Sequence, residues 1–179
     1  MATAFAHIRR AVHKDHNAVV SLLDQLAADE HLRDPGHFKD RTYGVTAAVF
    51  ATLVENQKEL HLVAEVENEV TGYARALPSR QAGADGEISL AWSRLGVHLQ
   101  LIVVAPKHRL RGVGRALFAA VEAWAAERNA EYIGLNVSAH NVDAKLFYAA
   151  QGYAATIEYL TKTIRPIRRV ASRGDRGQT

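Results

Sequence analysis

The chain has 179 residues, 48% of them hydrophobic and 23% charged, and no cysteine. This is one domain's length with enough apolar residues for a core, and it excludes disulfides, thiolate zinc sites and a cysteine nucleophile together. The net charge of +3 belongs to one end, since residues 162–179 carry six cations against one acid, net +5, leaving −2 for the 161 residues before them, so the fold itself is not built for nucleic acid.

His7 to Arg9 can open a short strand. Val12, Val19, Leu22, Leu23 and Leu26 then recur at helical steps and predict a helix over 14–28. Asp29 to Gly36 reads as a loop broken by Pro35-Gly36, and a second helix is expected over 38–54. The segments 60–66 and 70–77 flank Glu67-Asn68-Glu69 as a β-hairpin. A flexible loop, 78–86, precedes a Val-, Leu- and Ile-rich run, 97–104, that reads as a buried central strand. A helix over 115–129, a strand over 132–137, a helix over 143–151 and a closing strand over 154–162 complete the chain. The order β-α-α-β-β-β-α-β-α-β predicts a single α/β domain, 1–162, with a mixed central sheet and helices on both faces. Residues 163–179 read as a basic, flexible tail. No run approaches the ~20 apolar residues of a membrane helix, and Met1 to Arg10 lack a signal peptide's apolar stretch. A cytoplasmic protein without membrane contact is expected.

The most informative stretch runs from Val103 through Ala105-Pro106-Lys107-His108-Arg109-Leu110-Arg111-Gly112-Val113-Gly114-Arg115. A strand exits at a proline into a cationic loop with two glycines, and a helix follows. Turns of this kind aim successive N–H groups, and the positive end of a helix dipole, at one spot suited to an anion. Glycine there leaves room for a phosphate to reach the amides, and Arg109, Arg111 and Arg115 add attraction. A dinucleotide fingerprint is absent, because Leu117 stands at its third glycine, and a Walker loop is absent, because Arg115-Ala116 follow Gly114.

Arg109-x-x-Gly112-x-Gly114 after Val104-x-Pro106 resembles the acyl-coenzyme A signature of the GNAT superfamily of N-acetyltransferases. Leu135-Asn136-Val137, Asn141, Ala144, Phe147-Tyr148 and Gly152-Tyr153 resemble that family's second block. The resemblance covers about 97–161 and implies a GNAT fold. It also implies acetyl-CoA as co-substrate, with the pyrophosphate on the amides of Leu110, Arg111, Gly112, Val113, Gly114 and Arg115. The pantetheine arm would pair with the backbone of Ile102 and Val104. Asn141 would be a helix cap or a coenzyme contact. The implied reaction is direct acetyl transfer to a primary amine, with no covalent enzyme intermediate.

Such a transfer needs an acid for the leaving thiolate and a base for the amine. The resemblance puts the acid at Tyr148, whose phenol is protonated at neutral pH. It offers His98, six residues before Val104, as the base, since an ordinary imidazole is largely neutral at pH 7. Simple alternation sets His98 on the side of Gln100, Ile102 and Val104. Asn136 stands where a related branch keeps a catalytic Glu, and Glu65 is a reserve base. The acceptor is a small-molecule or peptide amine, drawn by Asp29, Glu30, Asp34, Asp85 and Glu87. No metal site is expected from the histidine spacing, and a homodimer would fit the family. The second reading is a GNAT-fold module that binds acyl-CoA without turnover.

Overall fold

The computed structural model describes residues 6–40, 44–81, 94–158, 160–162 and 164. Its strands are β1 (His7–Arg10), β2 (Leu60–Val66), β3 (Glu69–Gln81), β4 (Arg94–Val104) and β5 (Tyr132–Leu135). Its helices are α1 (His16–Arg33), α2 (Ala47–Glu55), α3 (Val113–Glu127) and α4 (Val142–Ala150). The strands form one sheet in the order β1-β2-β3-β4-β5, antiparallel except for the parallel β4–β5 pair. The chain divides into two compact units, residues 1–141 with the sheet and 142–179 with α4. No helix among the described residues is long and apolar enough to cross a membrane.

In the first unit both faces of the sheet are covered, as the sequence order implies. Val63, Tyr73 and Val103 are cross-strand partners and join Val19 and Leu22 of α1 and Phe50 of α2 in one buried core. Burial of side chains this size is worth about 1.5–3 kcal/mol each. The opposite face meets α3 so closely that a Cβ on Gly72 would lie 3.1 Å from Leu117 Cδ1. At the other end of β4, a Cβ on Gly96 would collide with the Tyr132 ring of β5.

Several boundaries differ from the sequence reading. α1 continues to Arg33 because Pro35, not Asp29, stops it, and Asp34 becomes its C-cap. α2 begins at Ala47 and not near 38, capped by Thr46, whose Oγ1 accepts the Val49 N–H at 3.3 Å. The segment before it is tied to α1 by His31 Nδ1 to the Phe38 carbonyl at 2.7 Å and His16 Nε2 to the Val45 carbonyl at 2.8 Å. β3 extends through Pro78 to Gln81, and β4 starts at Arg94. The expected closing strand over 154–162 is not formed among its described residues. The second unit offers no other strand among its described residues, and an alternating segment without a partner cannot satisfy its backbone as a strand.

A polar chain crosses the buried side of β2 and β3. His61, 2% exposed, has Nδ1 2.7 Å from the Tyr73 hydroxyl and Nε2 3.3 Å from a Glu59 carboxylate oxygen, which Arg75 also binds at 2.6 Å. Since a carboxylate only accepts, Nε2 carries the proton and Nδ1 accepts from Tyr73. Burial, then the Arg75 charge, push the imidazole below its ordinary pKa of 6.5, against the opposing pull of Glu59. The fold therefore favours neutral His61. Its contribution is complete above the unfolded value and is lost as pH falls through the depressed one. Denaturant unfolding of the native protein and His61→Gln is expected to show a gap of about 1–2 kcal/mol at pH 7.5 that narrows toward pH 5; a gap independent of pH would exclude this titration.

Candidate active site

The loop from β4 to α3 is anchored at its start. Ala105 is buried and donates its N–H to the Thr71 carbonyl at 2.8 Å. A single 3-10 turn, Pro106–His108, follows. Leu110 (φ +59°) and Gly112 (φ +87°) then adopt left-handed conformations, and alternations of this kind converge N–H groups on an anion. Gly112 caps α3 without any side-chain bond. At this end the Ala116 N–H donates to the Gly112 carbonyl at 3.0 Å, so Val113, Gly114 and Arg115 supply the first-turn donors that no helical carbonyl reaches. α3 thus opens two residues earlier than the sequence suggests. A Cβ on Gly112 would meet nothing within 4 Å; within the chain, backbone conformation and not space demands glycine there.

Two cations of this loop are held internally. Arg109 donates from Nε to the Val104 carbonyl at 3.0 Å and from Nη2 to Asp29 at 2.7 Å, and Lys107 Nζ binds both oxygens of Glu69 at 2.8 Å. Arg111 and Arg115 are exposed and make no ion pair among the described residues.

β4 presents the second element of the site. Ala105 bonding to Thr71 makes Val104 opposite Gly72, and Ile102 opposite Ala74, non-hydrogen-bonded pairs of the β3–β4 ladder. Their N–H and C=O groups consequently point away from β3, toward the β5 edge. There the β5 register stops at Leu99 opposite Leu135, so the last five residues of β4 have no strand partner on that edge among the described residues. An exposed strand edge leading to a helix N-terminus with convergent amides fits an extended amide-bearing arm that ends in a diphosphate.

The strand also carries a correction. The β3–β4 register skips Gln100, with Ala76 opposite Leu99 and Arg75 opposite Leu101. This bulge reverses the alternation. His98, opposite Leu77, therefore shares its face with Leu101 and Val103, the face that α1 and α2 cover, and not with Ile102 and Val104. Its side chain is half-buried and has no hydrogen bond among the described residues.

The other sequence candidates are distributed as follows. Asn141 donates from Nδ2 to Glu30 Oε1 at 2.7 Å. Asp29 holds Arg109, and Asp34 accepts the Gly36 N–H at 3.1 Å as a turn-former. Glu65 is paired with Arg9 Nε at 2.9 Å. Asp85 and Glu87 lie outside the described residues, and the tail beyond 164 does also. Among the described residues no group of three or more side chains could hold a metal ion. In the second unit, Tyr148 sits in the last turn of α4, its ring centroid 5.7 Å from Phe147 and 6.3 Å from Tyr153. The pairings of Asp29 and Glu30 span 80 and 111 residues and leave no local signal in the sequence.

Comparison with known proteins agrees with this geometry. The acetyltransferase (GNAT) family model matches residues 23–153. A protein of Bacillus subtilis strain 168 described as the uncharacterized N-acetyltransferase YhfO is 28% identical over 147 residues, covering 82% of this chain and 89% of its own length. A mutant of the BH1408 protein of Bacillus halodurans superposes with a TM-score of 0.77 at 22% identity, over 89% of this chain and 99% of that one. The aminoglycoside N-acetyltransferase AAC(6')-Iy in complex with CoA gives a TM-score of 0.62 at 21% identity, over 89% and 99%. At these identities the two solved structures speak to fold alone.

Gly112→Ala forces a Cβ into the left-handed region at a cost of about 1–2 kcal/mol. It is expected to lower the melting temperature and to reduce the protein's affinity for coenzyme A in calorimetry; unchanged binding would mean that the loop's conformation is not what the ligand reads.

Proposed function

The chain belongs to the GNAT acetyltransferase family, and from that footing we propose that it moves an acetyl group from acetyl-CoA to a primary amine by direct attack. The observation that carries the reading is the continuity of one surface: the outward backbone of Ile102 and Val104, then the turn at Leu110 to Gly112, then the first-turn amides of Val113, Gly114 and Arg115. Acetyl-CoA supplies an acetyl group activated as a thioester. Ile102 and Val104 would hold the pantetheine amides as a further strand holds a sheet edge. The loop amides, with Arg111 and Arg115, would hold the pyrophosphate.

Two side chains take the proton work. His98 Nδ1 or Nε2 accepts the proton that the amine must lose as its nitrogen bonds to the thioester carbon. Tyr148 donates its phenolic proton to the sulfur as the carbon–sulfur bond breaks. No covalent bond to the protein is required, in keeping with a chain that has no cysteine. His98 lies on the sheet face beneath α1 and α2, where the acceptor amine would enter. The reading of Tyr148 as the acid is supported by its place in a segment that resembles the family's second block. We place the reaction in the cytoplasm and take the acceptor to be a small molecule or peptide.

Thiol release from acetyl-CoA across a panel of amines, read with a thiol reagent, is the direct test. Turnover with one amine class is the expected result; tight coenzyme binding with no release across the panel would favour a non-catalytic acyl-CoA binder. Tyr148→Phe is expected to lower kcat about 100-fold or more with coenzyme affinity unchanged. His98→Ala is expected to lower kcat about 100-fold with coenzyme affinity unchanged, and a native rate would assign the base elsewhere.

A further inference from the structure

Two adjacent acids in the last turn of α1 each hold one side of the split between β4 and β5. Asp29 binds Arg109, five residues beyond the end of β4, at 2.7 Å. Glu30 binds Asn141, six residues beyond the end of β5, also at 2.7 Å. The strands stop pairing at Leu99 and Leu135, so no backbone ladder fixes the separation of their continuations. We propose that Asp29 and Glu30 are positioning residues, which clamp the loop after β4 and the loop after β5 to one rigid helix and so set the width of the coenzyme cleft. The inference rests on the acetyl-CoA reading of that cleft and adds the device that shapes it.

The contacts bear this out in kind. Arg109 is braced twice, by Asp29 and by the Val104 carbonyl, so its guanidinium ties the turn to α1 and to the end of β4. Glu30 has a side chain only 12% exposed and commits a single oxygen, Oε1, to both Asn141 and Arg33. Charge-assisted bonds of this length are stronger and more directional than neutral ones. Its other oxygen, Oε2, is buried with no partner in this state. That asymmetry makes one substitution diagnostic. Glu30→Gln keeps an oxygen for Asn141 and replaces an atom that has no donor to lose, while Glu30→Met fills the same volume with no acceptor.

The test is a double-mutant cycle on coenzyme A affinity, measured by calorimetry beside melting temperature on the full chain. Glu30→Met and Asn141→Ala are each expected to weaken coenzyme A about tenfold, and the double variant no more than either alone. Glu30→Gln is expected to stay within about twofold of the native protein, and Asp29→Ala to weaken binding as Glu30→Met does. A native coenzyme affinity in Glu30→Met, with or without a lower melting temperature, would reduce the bond to a structural tie and overturn the proposal. Effects that multiply in the double variant would overturn it too, since Asn141 would then act by direct contact. Failure of the native protein to bind coenzyme A is a separate result, which defeats the functional reading itself and the clamp with it.

Discussion

The site depends on one asymmetry of β4. This strand is paired with β3 from Arg94 to Val104 apart from the bulge at Gln100, yet with β5 only from Gly96 to Leu99. Extended pairing on one edge makes β4 rigid, and partial pairing on the other leaves backbone donors and acceptors facing outward at Ile102 and Val104. An open edge within a sheet is ordinarily an aggregation hazard. Here it is short, it is flanked by the loop and helix α3, and its groups are in the phase that a ligand's amides can meet. The bulge at Gln100 contributes a second effect, since it turns His98 toward the face under α1 and α2 while Ile102 and Val104 keep the other. One extra residue thus gives one strand two orientations, an outward backbone at Ile102 and Val104 and an imidazole on the face under α1 and α2.

The electrostatics of the coenzyme loop are less simple than its run of cations implies. Lys107 and Arg109 are neutralised by Glu69 and Asp29, and the Lys107 contact also holds the Glu69 carboxyl below its ordinary pKa. What is left for an anion is Arg111, Arg115 and the backbone amides of the turn and the first helical turn. Backbone donors do not reorganise and carry no side-chain entropy, so they give geometry where free arginines give only attraction. The internal pairs carry the architecture and leave the backbone amides as the fixed donors an anion could meet.

This division explains what could be read from the sequence. The helices α1, α3 and α4, the hairpin and the central strand follow from apolar periodicity, and the Arg109 to Gly114 loop follows from proline and glycine spacing. The backbone pairing expected at Ile102 and Val104 came from the family resemblance; the structure adds that the regular end of β4 turns these backbone groups outward. The side of His98 was not, because a bulge is one residue that alternation cannot announce. α2 started late because Thr46 offers a cap that the stripe through Phe38 and Val45 obscured. The closing strand is not formed among the described residues of 154–162, because alternation states a preference and pairing needs a neighbour. Asp29 and Glu30 read in the sequence as acids that draw an amine, and their partners at 109 and 141 are fixed only once the chain has folded.

The Gly152-Tyr153 pair shows how a family motif can conceal a local physical cause. Gly152 has φ +87° and donates its N–H to the Ala149 carbonyl, while Tyr153 donates to the Tyr148 carbonyl, both at 3.0 Å. These are the two bonds of a Schellman stop, which calls for glycine in the left-handed position. The same motif favours a contact between the residue after the glycine and the third residue from the helix end, and here the Tyr153 and Tyr148 rings meet at 6.3 Å. Glycine in this motif is therefore a helix terminator. By fixing where α4 ends, it braces Tyr148, the acid in the proposed reaction, against Tyr153.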